Sequence, residues 1–310
     1  MNEIQPSLPA PPTLHTTLQD LWHELRPRQW TKNIIIFAPL FFALGDKHQS
    51  IVFSTFWTAS LAFILFSITA SGIYVFNDIN DTQRDRAHPV KSRRPVAAGR
   101  ISIPLAWGLM TALLSAGLAG SWLCSLRFGM VVTVYVLLQL AYTLWLKHIP
   151  LVDVFVIALG FVLRAIAGGI VVNVVISNWL LICAFLMALF LALCKRRHEK
   201  HLMIETQNKE FRPSLATSDE RLLDQLIAIV AGAVIVTYAV YTQWPETVLK
   251  FQTSHLSLTI PFVVFGLFRY LDLVYRQAKG DQPEYILLTD IPLIIAIALF
   301  GVSVLWIIIL

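Results

Sequence analysis

The chain of 310 residues is 56% apolar and only 14% charged, with a formal charge of +5 and a mean hydropathy of +0.67. Soluble domains average about 25% charged residues, so the composition argues against an ordinary soluble domain and for a polytopic membrane protein. The positive excess is weak support for nucleic-acid binding, and no nucleic acid is expected as a partner. Cys124, Cys183 and Cys194 lie in or beside apolar runs with no C-x-x-C pair, which argues against a disulfide framework.

Residues 1–17, with Pro6, Pro9, Pro11 and Pro12, read as a disordered tail, and their layout is not that of a cleavable signal peptide. Leu18, Leu21, Trp22 and Leu25 then fall at i, i+3, i+4 and i+7 with Asp20, His23 and Glu24 between them. That spacing predicts a short amphipathic helix on the membrane surface. A basic and aromatic stretch, Arg26 to Asn33, leads into nine apolar segments: 33–45, 51–76, 103–122, 128–146, 151–173, 178–194, 222–243, 256–275 and 286–310. The first is short against the ~20 residues of a spanning helix. One helical membrane domain over 18–310 is expected, with no long linker. If the N-terminus is cytoplasmic, only Lys47, Arg127 and Lys250 of the 24 Lys and Arg residues face the other side. The positive-inside rule therefore predicts a multi-pass inner (plasma) membrane protein with its C-terminus outside.

Directly after the second apolar run stand Asn77, Asp78, Asp81 and Asp85. In a helix the three aspartates fall at i, i+3 and i+7, on one face, with Asn77 at its edge. Carboxylates so crowded repel one another, and a divalent cation relieves that. Mg²⁺ in particular is held by one or two carboxylates plus substrate phosphates. Lys91, Arg93, Arg94 and Arg100 follow, and cations of that kind take phosphate charge. The plainer alternative is a solvated helix end before an ordinary basic loop.

Arg164 lies about 13 residues into the fifth apolar segment, ~20 Å along a helix. A guanidinium there is expected to face the interior or a polar cavity and to pair with an anion. Gly160 and Gly168 at i−4 and i+4 would let a neighbour approach, and Asp153, eleven residues earlier, shares the face. A structural pair between helices is the alternative. Tyr142 and Lys147 precede this segment. Lys195, Arg196, Arg197, His198 and Glu199 end the sixth and read equally as topogenic charges. Cys194, His198 and His201 have helical spacing for zinc but lack a fourth ligand. The 195–221 stretch reads as the longest loop, with Thr217 and Glu220 spaced as a capping box. Asp290 either adds a carboxylate to a cavity or caps the last helix.

The run N-D-x-x-D-x-x-x-D from Asn77 to Asp85, followed by H-P-x-K-x-x-R-P-x-A-x-G from His88 to Gly99, resembles the first signature of the UbiA superfamily. The resemblance extends to R-P-R-Q-W-x-K-N at Arg26–Asn33, Y-x-x-x-L-K at Tyr142, Asp153, G-F-x-L-R-A-I-A-G-G around Arg164, and K-R-R-x-E at Lys195. In this it is similar to the polyprenyl-phosphate (decaprenyl-phosphate) phosphoribosyltransferase branch. It implies an all-α bundle of nine transmembrane helices around a cytoplasm-facing cavity. It also implies Mg²⁺-dependent transfer of 5-phosphoribosyl from phosphoribosyl pyrophosphate to a polyprenyl phosphate, releasing pyrophosphate. On that resemblance, Asn77, Asp78, Asp81 and Asp85 hold Mg²⁺. Lys32, Lys91, Arg94, Tyr142, Lys147, Lys195 and Arg196 bind the two phosphates, and Asp153 and Arg164 line the cavity. The runner-up is a UbiA-type prenyltransferase moving an isoprenoid from its diphosphate to an aromatic or other small acceptor. Such enzymes carry a second acidic motif where this chain has Lys195-Arg196-Arg197. A transporter or scaffold is the reading from another class, and homo-oligomer formation is left open.

Overall fold

The computed structural model describes residues 14–43, 53–87, 90–206, 219–276, 286–287 and 289–309. Among the described residues there is no strand. The helices are α1 (Leu14–Leu25), α2 (Ala38–Ala43), α3 (Phe53–Ala87), α4 (Ile103–Cys124), α5 (Leu126–Leu144), α6 (Val152–Val171), α7 (Asn178–Thr206), α8 (Glu220–Gln243), α9 (Pro245–Phe251), α10 (Ile260–Arg276) and α11 (Ile291–Ile309). Among the described residues eight helical stretches are long and apolar enough to cross a bilayer: α3 to α8, α10 with its preceding turn, and α11. The protein is an integral membrane protein.

The first expected span has a different build. Residues Pro27–Phe37 form a 3-10 helix that runs into the six residues of α2. Runs of 3-10 this long are uncommon because their hydrogen bonds are poorly aligned, and this one is held from outside. Trp30 Nε1 donates to Ser71 Oγ at 3.0 Å, and Asn33 Nδ2 donates to Ser67 Oγ at 2.9 Å, both on α3. The carbonyl of Ile36 sits so close to Gly168 of α6 that any side chain there would collide with it. In a bilayer, helix association rests on such close packing and on interhelical hydrogen bonds, because lipid is as apolar as the helices.

Two large apolar clusters share α6. One gathers α6, α7, α8, α10 and α11 around Phe190, Ile227 and Leu273; the other packs the 3-10 segment, α3 and α5 against Ala167 around Phe66, Phe128 and Tyr135. At 35 residues, α3 is about 52 Å long, well beyond the ~30 Å of hydrocarbon. Its last turns must therefore emerge, and they carry Asn77 to Asp85. The basic residues that close the site come from the same end of the bundle.

Several boundaries differ from expectation. α1 begins at Leu14, before the expected start at 18, and residues 1–13 lie outside the described residues. α7 continues to Thr206, so Lys195 to Glu199 are helical and not part of a loop. Thr217 of the expected capping box lies outside the described residues. Asp219 is the N-cap of α8, accepting from Arg221 N at 3.1 Å.

Candidate active site

The acidic face of α3 forms as the spacing predicts, and each of its carboxylates is already met by a cation. Asp78 takes a two-oxygen ion pair from Arg26 and a 2.9 Å bond from Arg94 Nη1. The same Arg94 nitrogen reaches Asp85 Oδ2 at 2.5 Å. Lys147 Nζ lies 2.7 and 2.8 Å from the two oxygens of Asp81 and 3.3 Å from Asn77 Oδ1. Three carboxylates thus meet three cations, which removes the repulsion that made the sequence cluster costly.

Local backbone explains how the cations arrive. Arg26 has φ 52 and ψ 57, a left-handed conformation rare for a long side chain. It marks the break between α1 and the 3-10 segment, where Pro27 supplies a helix start without an N–H. Its guanidinium also lies 5.5 Å over the Tyr74 ring. Arg94 is set by a turn that closes with Ala98 N donating to Arg94 O at 2.8 Å and ends on Gly99 at φ 76. A residue with a Cβ is strained there, which is the physical content of the R-P-x-A-x-G stretch.

Glu24 is the surprise of this region. α1 turns Asp20 and Glu24 inward and leaves Leu18 and Trp22 exposed at 67% and 56%, while Leu21 packs against the cluster of Val75, Val96, Ile101 and Ala106. Asp20 accepts from Arg100 Nε at 2.8 Å. Glu24 is 1% exposed, and among the described residues neither of its carboxylate oxygens accepts a hydrogen bond. It lies against Asp78, and its pKa is raised to about 8, by burial first and then by the charge of Asp78. Two carboxyl groups in contact share a proton or a cation.

A second polar centre joins α5, α6 and α7. Arg196 Nε donates to Asp153 Oδ2 at 2.6 Å, Arg196 also pairs with Glu199, and its Nη2 lies 3.5 Å from Tyr142 OH. Asp153 is therefore satisfied by Arg196, and the shared face with Arg164 does not bring those two together. Arg164 is 4% exposed and holds no carboxylate among the described residues. Its Nε donates to Asn33 Oδ1 at 2.7 Å, Nη1 to Gly160 O at 2.8 Å and Nη2 to Tyr135 OH at 2.9 Å. The rings of Tyr135, Phe66 and Phe161 stand 4.8 to 5.3 Å from it. The expected anion is replaced by neutral acceptors and aromatic faces, which disperse the charge without a second ion to desolvate.

Lys32, Lys91 and Lys195 are half-buried, on the 3-10 segment, on the single turn Lys91–Arg93 and on α7 respectively. Asp290 takes the capping role, accepting from Leu293 N at 3.0 Å at the start of α11, and pairs with Arg269 at 2.8 Å. Among the described residues no three His, Cys, Asp or Glu side chains stand close enough together to hold a metal ion, neither Cys194, His198 and His201 nor Asp78, Asp81 and Asp85, whose oxygens are turned to Arg26, Arg94 and Lys147.

The family model described as the UbiA prenyltransferase family matches residues 34–288. The chain belongs to this family. Among curated relatives of this UbiA-family protein, the decaprenyl-phosphate phosphoribosyltransferase of Mycobacterium tuberculosis (strain CDC 1551 / Oshkosh) is 34% identical over 267 residues, covering 86% of each chain. The decaprenyl-phosphate phosphoribosyltransferase of Mycolicibacterium smegmatis is 33% identical over 93% of this chain and 91% of its own. A solved UbiA homolog from Archaeoglobus fulgidus, bound to GPP and Mg²⁺, superposes with a TM-score of 0.68 at 18% identity, covering 94% of this chain and 99% of that one. The fold is that of the UbiA bundle.

Sequence reasoning missed Glu24, Arg26, Asn33 and Tyr135 as site or supporting residues. Arg26 and Asn33 lie in the R-P-R-Q-W-x-K-N stretch, which was a usable signal. Glu24 gave none, because a carboxylate between apolar helix positions reads as solvated.

Proposed function

We propose that this UbiA-family protein transfers a 5-phosphoribosyl group from phosphoribosyl pyrophosphate to a polyprenyl phosphate at the cytoplasmic face of the inner membrane, with its N-terminus inside and C-terminus outside. The observation that carries the reading is the interleaving of carboxylates with Arg26, Arg94 and Lys147 at the emerging end of α3. It has the oxygen donors a metal–diphosphate needs and the cations a phosphate needs in one place. The relatives named above, similar along nearly their whole length, point to the same reaction class.

Asn77, Asp78, Asp81 and Asp85 offer only hard oxygen donors, and the buried Glu24 carboxyl beside Asp78 adds another oxygen pair to that end of the site. Among the described residues no three carboxylates converge on one point while these ion pairs stand, so those four residues would hold Mg²⁺ only together with the donor's phosphates, once Arg26 and Arg94 have exchanged carboxylate for phosphate. Bound Mg²⁺ would neutralise the pyrophosphate leaving group. Arg26 and Arg94 are about a quarter exposed, so they can exchange carboxylate for the donor's phosphates without crossing the core. Lys147, fixed between Asn77 and Asp81, supplies a positive charge that needs no reorganisation when charge develops on the leaving oxygen. The acceptor phosphate is already an anionic nucleophile at neutral pH, so no strong general base is required. Lys32, Lys91 and Lys195 contribute to the surrounding phosphate-binding end, which Tyr142 and the buried Arg196, held by Asp153 and Glu199, brace from behind. Arg164 and Asp153 serve the scaffold through their saturated contacts.

The test is pyrophosphate release and formation of a phosphoribosyl lipid by purified protein in lipid with Mg²⁺, phosphoribosyl pyrophosphate and polyprenyl phosphate. Metal-dependent product is the expected result. Turnover of an allylic diphosphate and a small acceptor instead would overturn the assignment.

A further inference from the structure

A cavity of about 600 Å³ opens between the end of α3, the start of α4 and the end of α5. Its inner wall is Asp81 with Lys147, the pair that also closes the acidic site. The other charged lining groups are Arg84 and Arg86, with His148 beside them. Arg26, Arg94, Arg100, Arg196, Arg197 and Arg269 each hold a carboxylate. Arg84 and Arg86 hold none among the described residues. Arg84 Nη1 lies 3.1 Å from His148 Nε2, and Arg86 Nε donates to Ala97 O at 3.0 Å. His148 is pushed below its ordinary pKa by burial and by the adjacent Arg84 and Lys147, so it is neutral near pH 7 and accepts from Arg84. The cavity thus carries more positive than negative charge, in the form best suited to phosphate oxygens.

The remaining wall is apolar. Ile79, Ile103 and Leu144 line it, and Ile103 and Leu144 are exposed on the outside of the bundle. Hydrocarbon and guanidinium therefore meet in one recess where the helices leave the bilayer. We infer that this cavity seats the phosphate of the lipid acceptor, with its chain leaving over Ile103 and Leu144, on the far side of Lys147 and Asp81 from Arg26 and Arg94. The assignment rests on the proposed reaction. It separates the two substrates across one Lys–Asp pair, which places the acceptor phosphate beside the donor without mixing their binding groups.

The experiment is direct binding of polyprenyl phosphate to the full chain in neutral detergent, without donor, by native mass spectrometry. It compares wild type with R84Q/R86Q and with I103W, which fills the recess and keeps its charges. Both variants are expected to weaken binding at least tenfold while the Kd for phosphoribosyl pyrophosphate stays within twofold of wild type. Unchanged lipid binding in both variants would overturn the site. Equal displacement of the bound lipid by phosphatidylglycerol would also overturn it as an acceptor seat, making it a general anionic-lipid contact. Binding that behaves as expected in a protein that makes no phosphoribosyl lipid would leave this lipid-phosphate site standing and remove the proposed reaction.

Discussion

The cations at the end of α3 and the cation in the middle of α6 solve the same problem in opposite ways. Arg26, Arg94 and Lys147 neutralise carboxylates one for one, with the arginines partly exposed and Asp78, Asp85 and Lys147 buried. Arg164 is sealed, and neutral oxygens and three rings carry its charge. Pairs whose arginine is partly exposed can be traded for a ligand that brings its own compensating charge to the buried carboxylate left behind. A buried guanidinium with three neutral acceptors cannot trade them, since each abandoned oxygen would stay buried without a donor. The first arrangement is suited to binding, and the second fastens the 3-10 segment and α5 to α6.

The sharpest way to break that contrast is D81N. It keeps the shape of the side chain but removes the charge between Lys147 and the donor oxygens. Loss of at least ~100-fold in kcat/KM is expected, in line with removal of a preorganised electrostatic group, together with a weakened Mg²⁺ dependence in a metal titration. Activity within a few-fold of wild type would return the aspartates to a solvated helix end.

R164A should behave the other way. Asn33, Gly160 and Tyr135 lose their donors, so stability is expected to fall by about 2–4 kcal/mol, read as a lower thermal midpoint in detergent. The surviving folded protein should keep near-normal KM values for both substrates. A raised KM with an unshifted midpoint would place Arg164 in the substrate path.

Glu24 tests the join between α1 and the site. Its folded pKa lies above its ordinary value of 4.5, so the folded protein binds a proton that the unfolded chain has already released. The stability from this contact is fully present below about pH 4.5 and is lost as pH rises through about 8. The thermal midpoint of the metal-free protein should fall across that window. E24Q, which keeps a donor to Asp78 at every pH, should flatten the slope; an unaltered slope would mean that Glu24 is not the group responsible.

The smallest effect is expected from G99A. A Cβ at φ 76 costs about 1 kcal/mol, and the turn it closes positions Arg94. A modest fall in midpoint with a larger rise in the donor's KM would tie that turn to phosphate binding.

The helical membrane class, the emerging acidic helix face and most spans followed from the sequence because each depends on local composition and period. A run of apolar residues must be helical in lipid, since no water is there to satisfy its backbone. Aspartates at i, i+3 and i+7 share a face wherever the helix lies. Partner choice followed other rules. That Lys147 meets Asp81, that Arg196 claims Asp153, and that Glu24 turns inward beside Asp78 depend on which helix ends pack together. So does the filling of the Arg164 site by Asn33 and Tyr135 in place of an anion, because a neighbour 131 residues away in sequence is brought within 2.7 Å only by the packed bundle.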